Sequence, residues 1–213
     1  MSHPAWSLIK SFYCLNLDKN PGRWDKCVPE FIKVGIDYVE QVITHESEEN
    51  RYISFNHAHY DTVKKGLETG QPFVIFEDDI AFDDRWKYLE EACTQLPSNW
   101  DILYLGANIT GMDTTDWQMP MKATKNICRL FNAWMTHAIA YSPAGAQWVV
   151  DNFNPDEFPV YDEWLRVKAM PEKEVYITNP MICYQRPGYS DVWQMEVAYG
   201  SHKEGNKWLK ENL

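Results

Sequence analysis

No apolar run in the 213-residue chain approaches the roughly 18 residues needed to cross a bilayer. The opening Met1-Ser2-His3-Pro4-Ala5-Trp6 lacks the basic-then-apolar layout of a secretory leader, so a cytoplasmic protein is expected. Positive charge is also short. Lys and Arg number 20 against 31 Asp and Glu, and a formal charge of -11 disfavours nonspecific attraction to nucleic acid or anionic lipid. Paired cysteines are missing too: Cys14, Cys27, Cys93, Cys128 and Cys183 form no Cys-x-x-Cys and mostly sit among apolar neighbours, as reduced core thiols do. There is no internal repeat and no linker long enough to force a second domain, so 1–213 reads as a single domain. What the chain does have is 45% hydrophobic and 15% aromatic residues, enough for one generous core.

The most informative stretch is Phe73-Val74-Ile75-Phe76-Glu77-Asp78-Asp79-Ile80. Four apolar, β-favouring residues after Gly70-Gln71-Pro72 suit a strand covered on both faces, as in a parallel α/β sheet. Ligands in such sheets gather beyond the carboxyl ends of the strands. Three adjacent carboxylates repel one another, by about 4 kcal/mol per pair at roughly 4 Å and an effective dielectric near 20. A divalent cation would turn that repulsion into affinity. Oxygen clusters favour Mg²⁺ or Mn²⁺, which complete their shells with water and phosphate oxygens. The bland alternative is that the triplet caps the next helix, although Asp83 and Asp84 are better placed for that.

Along the chain, Ser11 to Leu17 reads as a buried strand and Asp18 to Arg23 as a turn. Trp24, Cys27, Val28, Phe31 and Ile32 then fall at helical spacing, with Pro21 in the first turn and Gly35 just past the end. Ile36 to Ile43 is a second strand, completing β-α-β. Ser54 is positioned to cap a helix whose apolar side runs through Phe55, Ala58 or His59, Val63 and Leu67. After the acids, Trp86, Leu89, Cys93 and Leu96 mark a helix, and Asp101 to Gly106 a strand. Ala107 to Asn126 has no period and reads as a long functional loop. Trp134 to Tyr141 is a strand, followed by Ser142-Pro143 as cap and first position of a helix. Tyr161-Asp162-Glu163-Trp164-Leu165 opens a short helix. Val175 to Thr178 and Pro180 to Tyr184 are extended, and Arg186 to Leu213 is a polar tail with interspersed aromatics.

Several segments together, in order, resemble glycosyltransferase family 25, the procollagen galactosyltransferases and bacterial lipooligosaccharide glycosyltransferases. Tyr13-Cys14-Leu15-Asn16-Leu17-Asp18 with Arg23 is similar to the family's I-N-L-x-R-x-x-x-R start, and His59-Tyr60 with Lys64-Lys65 to its histidine helix. Phe76-Glu77-Asp78-Asp79-Ile80 matches L-E-D-D-V. Thr136 to Ala146 resembles T-x-A-Y-x-x-S-x-x-G-A, Pro159 to Leu165 resembles P-V-D-x-x-L, and Ser190-Asp191 falls where a late S-D pair occurs. Ala58 and Asp18 depart from the pattern, replacing a Ser and a basic residue.

The resemblance implies a GT-A-like fold, a nucleotide-binding α/β/α sandwich with a mostly parallel central sheet. It implies an inverting hexosyltransferase that moves galactose or glucose from a UDP-sugar, with Mn²⁺ or Mg²⁺ on the diphosphate. The acceptor would be a hydroxyl on a glycan, lipooligosaccharide or hydroxylysine-like side chain. Asp79 is the expected metal ligand, with Glu77 and the late His202 as further candidates. Asn16, Arg23, His59, Glu77 and Asp78 are expected around the nucleotide; Arg23 could instead form a surface ion pair. Asp162 or Glu163 would be the general base, Asp162 being preferred, unless both merely charge a helix N-terminus. Trp117 and Trp193 could stack on sugars, His137 packs beside the sheet, and Lys203, Lys207 and Lys210 form a solvated face. A catalytically silent relative that keeps the fold for sugar-nucleotide binding or scaffolding is the alternative. A nucleotidyltransferase or phosphoesterase would want further His and Asp ligands near the triplet.

Overall fold

The computed structural model of the chain describes residues 2–47, 50–109, 119–157, 159–198 and 201–213. The sugar-stacking role considered for Trp117 lies outside the described residues. The first unit is as the periodicity predicts. Strand β1 (Ser11–Leu17) leads into helix α1 (Pro21–Lys33), with Pro21 in its first turn and Gly35 at φ +71° beyond its end, a conformation that favours glycine. Strand β2 (Glu40–Thr44) is shorter and later than expected. Helix α2 (Arg51–Leu67) starts before Ser54, because Asn50 is the cap: its Oδ1 accepts from the Tyr52 and Ile53 amides at 3.0 and 3.3 Å. The Ser54 hydroxyl instead accepts from the Ser47 amide at 2.7 Å.

Strand β3 (Phe73–Glu77) lies beside β1, parallel to it, and β1 is parallel to β2. The chain then runs through β4 (Ile80–Phe82), a 3-10 turn capped by Asp83, and α3 (Leu89–Gln95). Strands β5 (Ile102–Tyr104), β6 (Met121–Lys122), β7 (Ile127–Arg129) and β8 (Ala138–Tyr141) follow. Helix α4 (Pro143–Asn152) is capped by Ser142 as expected, its Oγ accepting from the Gly145 amide at 3.0 Å. Helix α5 (Tyr161–Trp164) continues through a π-helical stretch (Leu165–Ala169) into α6 (Met170–Glu172) and strand β9 (Val175–Thr178). Strand β10 (Cys183–Gln185) precedes the polar tail, which is ordered into a hairpin of β11 (Gly188–Ser190) and β12 (Met195–Val197), and α7 (Ser201–Asn212).

The main sheet has the order β2-β1-β3-β8-β5-β9-β7-β6. Its pairings reverse only β8 and β7, so six of the eight strands point the same way. Alternation along β3 puts Phe73 and Ile75 into one apolar layer with Val63 of α2 and Ala146 and Val149 of α4. Val74 and Phe76 enter the other, with Cys27 and Phe31 of α1 and Leu89 and Ala92 of α3. Helices therefore cover both faces, which is why β3 reads as an unbroken apolar run. The result is an α/β/α sandwich with a mostly parallel sheet whose β1, β2 and β3 end at one edge.

Candidate active site

Strand β3 stays paired with β1 through Glu77, opposite Leu15, and then turns. The turn is clamped from beneath. Arg186 donates to the carbonyls of Asp78 at 2.9 Å and Ile80 at 2.6 Å, and the Cys27 thiol donates to the Asp78 carbonyl at 3.0 Å. With its backbone fixed, the turn sends its carboxylates in different directions. Glu77 accepts from the Thr136 hydroxyl at 2.5 Å and faces His59, whose Nε2 lies 3.3 Å away without an aligned hydrogen bond. Asp78 accepts from Asn16 Nδ2 at 2.6 Å, and Asn16 is itself fixed by Gln41 at 2.8 Å. Asp79 accepts from Gln185 Nε2 at 3.1 Å.

Arg23 ties these acids together. Its Nε is 2.9 Å from Asp78, Nη2 is 3.3 Å from Asp79, and Nη1 is 3.0 Å from Asp191 on the turn joining β11 to β12. Asn20 and Lys19 also bind Asp191, at 2.9 and 3.1 Å. The late hairpin is thereby strapped over the carboxyl ends of β1 and β3, with Arg51 Nε adding a bond to the Val192 carbonyl at 2.6 Å. Between hairpin, sheet edge and α2 lies a cleft of about 120 Å³. Leu15, Leu17, Phe55 and Ala58 give it apolar walls, and Arg23, Glu77, Asp78 and Asp79 lie at its polar end.

One guanidinium does not neutralise this cluster. Burial, then the charge of Glu77, push the Asp79 carboxyl well above the ordinary carboxylate range despite Arg23. Burial also raises Asp78, against Arg23 and Asn16. Burial would raise Glu77 as well, but His59, Thr136 and His137 outweigh it and leave that carboxyl lowered. Asp79 Oδ1 and Gln185 Oε1 are buried with no hydrogen-bond partner. Unsatisfied hard oxygens beside excess negative charge fit Mg²⁺ or Mn²⁺. Among the described residues no three His, Cys, Asp or Glu side chains converge on one metal position. The protein would thus furnish one or two oxygens and a ligand's phosphates the rest, a common arrangement for Mg²⁺.

Helix α2 also positions the segment that carries Asp162. The buried Asn56 of α2 donates to the carbonyls of Pro155, Glu157 and Pro159 at 3.2–3.4 Å and accepts from the Tyr161 amide at 2.8 Å, fixing the loop before α5. The Tyr161 ring stacks on His59 with centroids 4.9 Å apart, and its hydroxyl meets that of Tyr141 at 2.9 Å. Burial, aided by the charge of Glu77, raises the Asp162 carboxyl, and the amides of Glu163 and Met135 pull it back. Met135, whose amide reaches Asp162, has φ +78°, strained for a residue with a side chain. Glu163 is engaged by Arg166 through two bonds, at 2.8 and 2.7 Å. Of the two acids, Asp162 is the one without a cationic clamp among the described contacts.

His202 is not brought to the triplet. Its ring stacks on Tyr184 at 4.2 Å and lines a separate hollow with Asp83 and Asp84. Burial lowers its proton affinity, against Asp83. His137 packs beside the sheet as expected, and burial lowers it to about 4. Trp193 is exposed at the hairpin tip. Asn56 and Gln185 are not singled out by sequence reasoning, and Thr136 and Asp191 only as parts of matched segments. Gln185 does carry a signal, since it is a polar residue ending the run Met181 to Tyr184, as Glu77 ends its own.

The sequence matches no protein-family model and no curated protein. Among solved structures, a glycosyltransferase involved in the glycosylation of the major capsid of PBCV-1 aligns over 95% of this chain and 100% of its own, with TM-score 0.51 and 9% identity. Mannose-1-phosphate geranyltransferase from Thermus thermophilus aligns over 80% of this chain and 74% of its own, with TM-score 0.46 and 10% identity, too distant to bear on the fold. The architecture is thus GT-A-like, shared with that PBCV-1 glycosyltransferase. No helix among the described residues is long and apolar enough to cross a membrane.

Proposed function

We propose that the chain is a metal-assisted glycosyltransferase that moves a hexose from a UDP-sugar to a hydroxyl acceptor, inverting the anomeric centre, in the manner of family 25. The observation that supports this reading is a pair of carboxyls that both feel the charge of Glu77: Asp79, with a free oxygen, and the half-buried Asp162, without a cationic clamp among the described contacts. The nucleoside lies in the cleft against Leu15, Leu17 and Phe55, with Asp78 and Asn16 beside the ribose. Asp79, with Glu77 or Gln185, would hold Mn²⁺ or Mg²⁺, which when bound supplies Lewis-acid stabilisation of the leaving diphosphate. Arg23 adds a fixed positive charge on the same group. Asp162 accepts the proton of the acceptor hydroxyl as its oxygen bonds to the sugar's anomeric carbon and the bond from that carbon to the diphosphate breaks. Raised proton affinity suits Asp162 to that task. A thermal-shift screen of UDP-, GDP- and CMP-sugars with and without Mn²⁺ tests the reading, since a ligand bound by the native state raises Tm. The expected result is a Mn²⁺-dependent shift with UDP-sugars; no shift with any nucleotide would refute it.

A further inference from the structure

The cleft ends at Arg23 and Asp79, but the cavity system does not. Beyond that pair a second hollow of about 220 Å³ is lined by Asn20, Arg23, Lys26, Asp79, Arg186 and Tyr189. Three cations face it with a single acid, in a chain of charge -11. Arg23 is committed to Asp78, Asp79 and Asp191. Arg186 is different: its guanidinium donates to the carbonyls of Lys26, Asp78 and Ile80 and to the Cys27 sulfur, and to no carboxylate among the described residues. These contacts hold the group in place and give it no direct carboxylate partner among the described residues. Lys26 likewise has no acidic partner among the described contacts. Helix α1 reinforces the field. Its N-cap residue Asn20 makes no side-chain cap bond and donates to Asp191 instead, so a 13-residue helix presents its positive end at the hollow with no side-chain cap.

We propose that this hollow is a phosphate-binding site, with Lys26, Arg186 and the first turn of α1 as its anion-binding elements. The ligand class is a phosphate or diphosphate group. On the nucleotide-sugar reading, on which this identification of the source rests, it is the donor's diphosphate reaching across Arg23 and Asp79 from the cleft. A phosphorylated acceptor would present the same chemistry. Arg186 also clamps the acidic turn, so Lys26, exposed and without a structural partner among the described contacts, is the residue to vary.

The probes are inorganic pyrophosphate and UDP, titrated calorimetrically without metal into the wild-type chain and the Lys26→Glu and Lys26→Arg variants. Pyrophosphate should bind the wild type, weaken with added salt, lose about tenfold in affinity in Lys26→Glu and keep it in Lys26→Arg. Competition between pyrophosphate and UDP assigns the hollow to the donor's diphosphate, and simultaneous binding assigns it to a phosphorylated acceptor. No pyrophosphate binding, or equal binding by Lys26→Glu, overturns the proposal. UDP binding that persists in that case leaves the nucleotide-sugar reading standing. Pyrophosphate binding through Lys26 without any nucleotide binding would do the reverse.

Discussion

Replacing Asp79 with asparagine should make the ligand-free protein more stable while removing its response to metal and nucleotide. The side chain is 13% exposed, one oxygen has no partner, and Glu77 and Asp78 are its neighbours in the chain. Two like charges at roughly 4 Å repel by about 4 kcal/mol at an effective dielectric near 20, and the Arg23 contact at 3.3 Å returns a similar amount. These contributions offset each other, and the cost of taking the carboxylate out of water remains. The asparagine amide would keep the shape and an acceptor for Gln185, and Arg23 would retain two other acids. The expected gain is about 1–2 kcal/mol, or a rise in Tm of about 2–6 °C for a chain of this size. The sign with pH follows. A carboxyl raised above its ordinary 3.8 makes the folded state bind more protons than the unfolded state, so this contribution to stability falls as pH rises from about 3.8 through the raised value. The advantage of Asp79→Asn should therefore be larger at pH 8 than at pH 4. Differential scanning calorimetry of both proteins at the two pH values is the assay. A variant that melts lower than wild type at pH 8, or an advantage independent of pH, would refute the reasoning.

Asp162→Asn should keep donor affinity within about twofold and reduce transfer by at least ~10²-fold. The acidic limb of the wild-type rate profile should lie above the ordinary carboxylate range because burial raises Asp162, and a radiolabelled-sugar assay across pH reads both. Arg23→Gln should act with opposite signs on two titrations: Mn²⁺ alone binds more tightly once a competing cation is gone, whereas UDP with Mn²⁺ binds about tenfold more weakly. Equal direction in both would remove Arg23 from the phosphate contacts. Gly145→Ala places a methyl 2.1 Å from the Asp101 carbonyl oxygen and should cost about 1–3 kcal/mol, read as a lower Tm with unchanged turnover per folded molecule.

The legible parts of the fold are those whose local pattern has one solution. The β1-α1 unit is readable because Pro21 and Gly35 punctuate a helix between two apolar runs, and β3 because alternate residues on both faces are buried. Ser54 misleads because Asn50, four residues earlier, competes for the same helix start and binds two amides. Strand β7 escapes sequence reading: three residues between the aperiodic Ala107 to Asn126 stretch and the strand expected from Trp134 leave no signature, and tertiary pairing with β9 makes it a strand. The reversal of β8 is likewise set by its neighbours on both sides, not by its own residues.

For the site, the acidic turn is visible as a charge cluster ending an apolar run. Its counterparts are not, because each is distant in sequence. Asp191 meets Arg23 across 168 residues and Gln185 meets Asp79 across 106, and nothing local distinguishes those contacts from surface pairing. Asn56 shows the same limit in the positioning of Asp162. A buried amide on a helix reads as a lone polar residue until the loop whose carbonyls it satisfies is placed against it.

The central claim is that Asp79 and the phosphates of a bound nucleotide share one cation at the end of β3. Pulsed electron–nuclear double resonance on Mn²⁺ with UDP and the protein measures this most directly. The account predicts a protein-bound Mn²⁺ signal with ³¹P coupling in the wild type, lost from the protein in Asp79→Asn. A wild-type spectrum indistinguishable from Mn²⁺ and UDP free in solution would contradict it.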